Sequence, residues 1–153
     1  GKFHYLKKNQ VSFKYRGTDI NPNWIITKVE YLGVPKPSLI IKKKMDEINR
    51  IRKATQPVNS STGGSTFKNP KGMKAWKLIH QSGCREMQCG GAKLSDMHCN
   101  FMINTGNASA NDFESLGEEV RKRVYAETKI LLEWEIVRVG VVKKTEMIER
   151  SHG

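Results

Sequence analysis

Residues 99–129 read CNFMINTGNASANDFESLGEEVRKRVYAETK, and two different hydrophobic spacings occur one after the other within this stretch. The first has apolar residues at every second position, which is the period of a β-strand; these residues are Cys99, Phe101 and Ile103. The second has apolar residues at every third or fourth position, which is the period of an amphipathic helix; these residues are Phe113, Leu116, Val120 and Val124. The stretch therefore predicts a strand and then a helix that runs to about Lys129.

The residues on either side of this helix indicate its start and predict the next element of the chain. Asn111 and Glu114, three residues apart, resemble a capping box at the start of the helix. After the helix, residues 130–142 are dense in Ile, Leu, Val and Trp and predict one long strand. That strand carries the charged residues Glu133, Glu135 and Arg138.

The sequence before residue 99 predicts two more helices and an N-terminal group of strands. Helical spacing of apolar residues predicts a helix over residues 72–82, with Gly83 as a left-handed cap, and another from Ser38 to about Ala54. Residues 55–64 are rich in Asn, Ser, Thr and Gly and predict a loop. Residues 2–32 predict strands, among them the runs 11–15 and 24–32. The order of elements lacks the regular alternation of a doubly wound fold, and this favours an α+β fold class.

Composition and charge limit the classes of partner. The longest apolar runs fall far below the ~20 residues that a membrane span needs, which excludes a membrane-spanning protein. The 153 residues include 27 Lys and Arg against 15 Asp and Glu, a net charge of +12. This charge favours anionic partners, namely nucleic acid, an acidic membrane surface or phosphorylated metabolites, and does not choose among them.

The cysteines and histidines indicate neither a disulfide framework nor a metal site. Three cysteines are too few for a disulfide framework, which favours a reducing compartment and a cytoplasmic location. No Cys-x-x-Cys pair occurs and the four histidines are scattered, so we expect neither bound metal nor a Ser-His-Asp triad. The chain begins at Gly1 without a basic and then apolar leader, so no secretory signal is expected.

Residues 63–70, Gly-Gly-Ser-Thr-Phe-Lys-Asn-Pro, are the first candidate for chemistry. Two glycines, two hydroxyls, a lysine and an amide in one turn ahead of a helix can bind an anion through free N–H groups. The Gly-Lys-Ser/Thr order of a P-loop is missing. A Ser/Thr-rich connecting loop remains the alternative interpretation.

Three further residues stand out. Tyr15 and Arg16 lie at the predicted end of a strand, where neighbouring side chains point to opposite faces, so only one of them would face a given site. The alternative interpretation is a core tyrosine beside a solvated arginine, with no site at all. Glu135 lies among apolar residues on a predicted strand, and is either on the solvated face or held by a cation. If Arg16 is that cation, the two would form a charged site.

A basic helix offers a function of another class. The predicted helix within residues 36–53 is rich in lysine, and Lys42, Lys43 and Lys44 form its densest block. Such a helix could contact nucleic acid, and the alternative is a solvated surface. The aromatic residues are not interleaved with the basic run, which argues against binding of single strands.

Short motifs in a fixed order run through most of the chain. They are Phe13–Arg16, Arg52 with Gln56 and Pro57, Gly64–Pro70, Ala75 and Trp76, Gly91–Lys93 with Ser95, His98, Asn100, Phe101–Asn104, and Leu132–Glu135 with Gly140. Together they resemble the C-terminal part of the UDP-N-acetylenolpyruvoylglucosamine reductase family. The Gly-Ser-x-Phe-Lys-Asn-Pro segment is the most specific of them.

The resemblance implies a flavoenzyme of peptidoglycan synthesis with FAD and NADPH as cofactors. It implies that hydride passes from NADPH to FAD and then to the enolpyruvyl carbon of a UDP-sugar enolpyruvate, after which an enolate-like intermediate is protonated. It further implies that Ser65 donates this proton, and that Arg16 and Glu135 position the substrate carboxyl and stabilise the developing charge. Tyr15, Lys68, Asn69 and Lys93 would bind the substrate, and neither nucleic acid nor a membrane would be a partner.

The resemblance also implies a domain organisation. Residues 1–34 would be the last strands of a flavin-binding domain, 35–56 a connecting helix, 57–130 the substrate-binding domain, and 131–153 a returning C-terminal strand and tail. The main FAD-binding region would lie in an N-terminal part that this chain lacks. The competing interpretation is a basic, non-enzymatic module that binds nucleic acid.

Overall fold

The structure, a computed structural model, describes residues 1–140 and divides them into two units. Unit 1 is Gly1–Pro37 and unit 2 begins at Ser38. The elements are helices and antiparallel strands, so the predicted α+β class is confirmed.

Unit 1 contains one small hairpin. Its strands β1 (Phe13–Lys14) and β2 (Gly17–Thr18) are antiparallel, and Arg16 in the connecting turn has a left-handed φ of 56°. The Asp19 carboxylate accepts a hydrogen bond from Ser12 N at 2.8 Å, which closes the hairpin. A single-turn 3₁₀ helix, Lys8–Gln10, precedes it.

The strands that the sequence predicts in this unit are largely absent from the described structure. Residues 24–32 form no strand, and Ile25 and Tyr31 are about nine-tenths exposed, at 87% and 90%. Val, Ile and Tyr favour strands only when a neighbouring strand supplies hydrogen bonds and packing. Unit 1 offers residues 24–32 no such neighbour, so this prediction is wrong for the chain as described.

Unit 2 opens with the predicted helix α1 (Ser38–Thr55), which has no buried residue along its length. Strands β3 (Thr62–Ser65), β4 (Gln88–Cys89), β5 (Ala92–Leu94) and β6 (Phe101–Asn104) form an antiparallel sheet in the order β3-β6-β5-β4. Helices α2 (Ala75–Gln81) and α3 (Ala110–Thr128) contact each other, and α3 contacts β4 and β5. The core between sheet and helices includes Ile79, Leu94, Met102, Leu116 and Val120.

Two predictions about the middle of the chain are corrected. Residues 55–64 were expected to be a loop, but Thr62–Ser65 is the edge strand β3, with a bulge against β6 that includes Gly64 at a φ of 88°. The helix expected from residue 72 begins at Ala75, because Gly72 has a left-handed φ of 72° and Lys74, the N-cap, is extended with a φ of −116°. The predicted left-handed Gly83 is confirmed, with a φ of 67°.

The start of α3 also differs from the prediction. The capping box is formed by Ser109 and Asp112 rather than by Asn111 and Glu114. Ser109 Oγ accepts from Asp112 N at 3.1 Å, and the Asp112 carboxylate accepts from Ser109 N at 2.9 Å and from Gly91 N at 3.3 Å. Asp112 therefore fastens α3 to the turn between β4 and β5.

Asp112 should make the stability of unit 2 depend on pH. Hydrogen bonds from Ser109 and Gly91 hold the pKa of its carboxyl below the ordinary value. Since the unfolded chain lacks these bonds, their contribution is present above the unfolded pKa of about 3.9 and is lost as the pH falls towards the lower folded pKa. We expect Asp112→Asn to lower the unfolding temperature at pH 7 and to flatten its decline between pH 5 and pH 3.

Circular dichroism of thermal unfolding at several pH values measures this effect. Asp46→Asn, a change at an exposed position of α1, is the control. Equal pH profiles for Asp112→Asn and the parent protein would contradict the assignment.

The predicted long strand over residues 130–142 is reduced to one bridge. Among residues 130–140 only Trp134 pairs as a strand residue, antiparallel to Phe67, and residues 141 and 142 lie outside the described part. The pairing is short, yet it brings the C-terminal segment next to the end of β3.

Candidate functional site

Ser65 lies half-buried at the end of β3, opposite Phe101 of β6. The next two residues, Thr66 and Phe67, are 0% and 1% exposed. Ser65 therefore lies where the edge strand β3 ends and the chain enters the interior. Its hydroxyl is carried by a backbone whose next two residues are packed in the core.

Asn100 holds this backbone from one side. Its buried side chain accepts a hydrogen bond from Phe67 N at 3.1 Å and donates one to Phe67 O at 2.9 Å. Its carbonyl accepts a third bond from Thr66 N at 2.8 Å. A single residue thus holds the three peptide groups that follow Ser65.

The C-terminal segment holds the same backbone from the other side. Glu135 N donates to Thr66 O at 2.8 Å, and Lys68 N donates to Glu133 O at 2.9 Å. These bonds place Glu135, which is half-buried, directly across from the residue after Ser65. The structure therefore brings together the segments that carry two of the predicted catalytic residues, Ser65 and Glu135.

Residues 66 and 67, with the hydrogen bonds that hold them on both sides, are called the backbone frame below. Lys68 and Asn69 follow directly after it in the chain. Lys68 Nζ lies 3.3 Å from Glu133 Oε2 in a solvent-exposed ion pair. The Asn69 side chain accepts a hydrogen bond from Ala75 N at 3.0 Å and so holds the first residue of α2. The predicted turn 63–70 is thus an edge strand with a fixed connection to a helix, rather than a free loop.

Lys93 lies on β5, between the buried residues Ala92 and Leu94. Because neighbouring residues of a strand point to opposite faces, Lys93 projects away from the core. Its ammonium pairs with Asp96 at 3.0 Å. In the sheet, Lys93 is aligned with Ile103 of β6, and Ile103 is aligned with Thr62 of β3.

A cleft of about 280 Å³ opens beside this row of strand residues, entirely within unit 2. Ile103 and Asp96 are part of its wall, and α1 and the segment after it contribute polar groups. These groups come from Lys53, Gln56, Asn59 and Ser60. The cleft combines one cation, one carboxylate and neutral hydrogen-bonding groups, which suits a polar ligand.

Tyr15 and Arg16 belong to unit 1. They occupy the turn of the hairpin rather than the end of a strand, because Arg16 adopts a left-handed backbone. Both side chains are exposed, and the Arg16 guanidinium lies 5.7 Å from the centre of the Tyr15 ring. Pairing of Arg16 with Glu135 stays a prediction.

Asn100 is the residue whose role the sequence did not reveal. It belongs to one of the motifs, but the motif assigns it no function. The signal is its place between Cys99 and Phe101 in a run of apolar residues just before β6, since a buried amide must find hydrogen-bond partners. Neighbouring His98 holds the backbone of Asn100, because His98 Nδ1 accepts a hydrogen bond from Asn100 N at 3.3 Å. Burial lowers the pKa of the His98 imidazole.

The described residues give no sign of a metal site and do not by themselves fit a flavin. Within residues 1–140, no group of three His, Cys, Asp or Glu side chains is arranged to hold a metal ion. None of residues 1–37 is buried. A flavin needs a concave, largely apolar site with buried walls, and unit 1 has no buried side chain to form such walls.

Comparison with known proteins gives three findings. The profile of the family described as "UDP-N-acetylenolpyruvoylglucosamine reductase, C-terminal domain" matches residues 56–139, more than half of the chain. The UDP-N-acetylenolpyruvoylglucosamine reductase of Bradyrhizobium sp. (strain ORS 278) is 48% identical over 141 residues, which are 92% of this chain and 46% of that protein. The crystal structure of UDP-N-acetylenolpyruvylglucosamine reductase from Thermus caldophilus is similar with a TM-score of 0.73 and 34% identity, over 88% of this chain and 48% of that one. The chain spans about half the length of these relatives.

Proposed function

The chain belongs to the UDP-N-acetylenolpyruvoylglucosamine reductase family, and on this basis we propose that it is part of a flavoenzyme of peptidoglycan synthesis. The enzyme would use FAD and NADPH to reduce UDP-N-acetylglucosamine enolpyruvate to UDP-N-acetylmuramate. The observation that carries this proposal is the backbone frame in which Asn100 and Glu135 hold the segment after Ser65. The alternative function, nucleic-acid binding, receives no support from the relatives.

In this proposal Ser65 donates the proton to the substrate carbon. A serine hydroxyl is a weak acid in water, but a strongly basic carbanion can take its proton when the geometry is fixed in advance. The hydrogen bonds on both sides of Thr66 and Phe67 supply that fixed geometry. Glu135 and Arg16 would position the substrate carboxyl and stabilise the charge that develops beside it.

The other predicted residues would bind the UDP-sugar. Lys93 lies next to the polar cleft, and Lys68 and Asn69 lie on the segment that leaves Ser65. The basic surface of the protein raises the local concentration of an anionic sugar nucleotide. Tyr15 in unit 1 completes the proposed set.

FAD, when bound, would supply the hydride, and we place its main site in an N-terminal part of the complete protein. Three observations support this placement. None of residues 1–37 is buried, the apolar residues of 24–34 are exposed, and α1 has an exposed apolar stripe that includes Ile41, Met45 and Ile48. These surfaces suit contact with the rest of a protein twice as long.

Domain limits and location stay predictions. The predicted limits are residues 1–34, 35–56, 57–130 and 131–153. Among the described residues no helix has the length and apolarity that a membrane span requires. A cytoplasmic location is proposed from the three cysteines, all of which are free thiols in the structure.

Titration of the chain with a UDP-sugar tests the proposal. We expect amide shifts in residues 63–70 and at Lys93. Lys93→Gln should weaken binding by about fivefold, since loss of one exposed charge contact costs about 1 kcal/mol. NMR spectroscopy measures both results.

Lys77→Gln is the matched control, because Lys77 is an exposed lysine on α2 outside the proposed site. Shifts confined to Lys42, Lys43 and Lys44 of α1 would contradict the proposed binding site.

A further inference from the structure

Gly117 lies buried in the middle of α3, under the indole ring of Trp134. A Cβ atom at position 117 would lie 2.0 Å from Cη2 and 2.5 Å from Cζ2 of that ring. Glycine inside a helix costs about 1 kcal/mol relative to alanine, and residue 117 has no left-handed backbone that would require glycine. The space taken by the Trp134 ring therefore explains the glycine.

Polar contacts fasten the same segment to α3. Trp134 Nε1 donates to Glu118 Oε1 at 2.9 Å, and Arg121 Nε donates to Leu132 O at 2.8 Å. Arg138 adds a cation over the ring, with its guanidinium 4.9 Å from the ring centre. Residues 132–138 are thus attached to one helix at several points.

Trp134 also contacts the segment that carries the proposed proton donor. Its ring lies 5.1 Å from the ring of Phe67, centre to centre, and the two residues form the antiparallel bridge. The bridge is flanked by the two backbone hydrogen bonds of Glu135 and Lys68. Since neighbouring residues of a paired extended segment point to opposite faces, Glu135 projects away from the face on which Trp134 meets α3.

We propose that Trp134 is a positioning residue that fixes the Glu135 carboxylate. Gly117 provides the place on α3 against which the Trp134 ring packs, and we call this contact the seat of the ring. The ring determines the distance between α3 and the C-terminal segment, and the next residue along that segment is Glu135. A change in the seat therefore displaces the carboxylate relative to Ser65. This inference rests on the proposed function of Glu135.

The test uses the full-length protein that contains this chain, with both half-reactions measured by stopped-flow absorbance. We expect Gly117→Ala and Trp134→Leu each to slow oxidation of the reduced flavin by substrate by about tenfold, since small displacements of a positioning group cost about that much or more. Reduction of the flavin by NADPH should stay within about twofold of the parent rate, because Glu135 has no proposed role in it. Tyr125→Leu, which changes an exposed aromatic residue of the same helix, should alter neither rate.

A double-mutant cycle tests whether Gly117 acts through the ring. If it does, adding Gly117→Ala to Trp134→Leu slows the substrate half-reaction no further. Full additivity of the two effects would overturn the assignment of Gly117 as the seat. If Gly117→Ala does not fold, Trp134→Phe and Glu118→Leu replace it, and each should slow the same half-reaction about threefold by removing the indole hydrogen bond.

Glu135→Gln separates this inference from the proposed function. If Glu135→Gln leaves the substrate half-reaction unchanged, the role of Glu135 fails, and the proposal for Trp134 fails with it. If Glu135→Gln slows it while Trp134→Leu does not, only the inference about Trp134 is overturned. Equal slowing of both half-reactions by Trp134→Leu would show a general structural role and would also overturn it.

Discussion

Replacing Ser65 with alanine in the full-length flavoenzyme is expected to slow reduction of the substrate by about 10²-fold or more. The change removes the proposed proton donor and adds no bulk. The backbone at this position is held by the pairing of Ser65 with Phe101 and by the bonds of Thr66, none of which uses the Ser65 hydroxyl. Substrate binding and reduction of the flavin by NADPH should therefore survive, and stopped-flow measurement of both half-reactions gives the result.

Two neighbouring hydroxyls provide the controls for this prediction. Ser61→Ala changes an exposed residue before β3, and Thr66→Val changes a fully buried one of nearly the same shape. Both variants should reduce substrate at close to the parent rate. If Ser65→Ala reacts with substrate as fast as the parent enzyme, another group or a water molecule is the donor; if Thr66→Val is equally slow, the effect belongs to the backbone frame.

The sequence predicts best those elements in which apolar residues recur at a regular spacing over many residues. The apolar stripe of α3, from Phe113 to Val124, extends over about three turns, and the predicted limits of this helix agree with the structure within a residue or two. Strand β3 was missed because Thr-Gly-Gly-Ser has no apolar alternation. It is a strand only because β6, almost forty residues further along the chain, pairs with its backbone.

The opposite error occurred in unit 1. Residues 24–32 have strong strand propensity, but propensity acts only where a neighbouring strand is present, and the described structure provides none for them. The turn at Arg16 was missed for a related reason, since the left-handed backbone there is set by the hairpin rather than by the residue type.

The sequence motifs indicate single segments of the candidate site but not how these segments contact one another. The segment with Ser65, Lys68 and Asn69 was identified, and so was Glu135. The motif could not show that Glu135 N bonds to Thr66 O, because that contact joins residues about seventy positions apart. It also could not show the seat of Trp134 on Gly117, which depends on how a helix packs against a segment that is not a regular strand.

Replacing Asn100 with alanine is expected to lower the free energy of unfolding of this chain by about 3–5 kcal/mol. The change removes the partners of both Phe67 N and Phe67 O. Phe67 is 1% exposed, so water cannot replace the lost bonds without opening the core. Each buried polar group left without a partner costs about 1–3 kcal/mol, and the space left by the amide adds to this.

Asn104 is the matched control for Asn100, because it is the same residue type on the same strand region and its side chain accepts bonds from Gly106 N and Ala108 N. Asn104 is only half-buried and Gly106 is exposed, so water can replace at least one of these bonds, and Asn104→Ala should cost about 1 kcal/mol. Urea denaturation monitored by circular dichroism compares the two variants.

Asn100→Asp keeps the acceptor for Phe67 N but sets a carboxylate oxygen against Phe67 O, so it should also destabilise the chain, and more strongly as the pH rises from 4 to 7. Equal losses for Asn100→Ala and Asn104→Ala would show that the segment after Ser65 keeps its position without the Asn100 amide, and the rigid geometry proposed for the proton donor would then need another source.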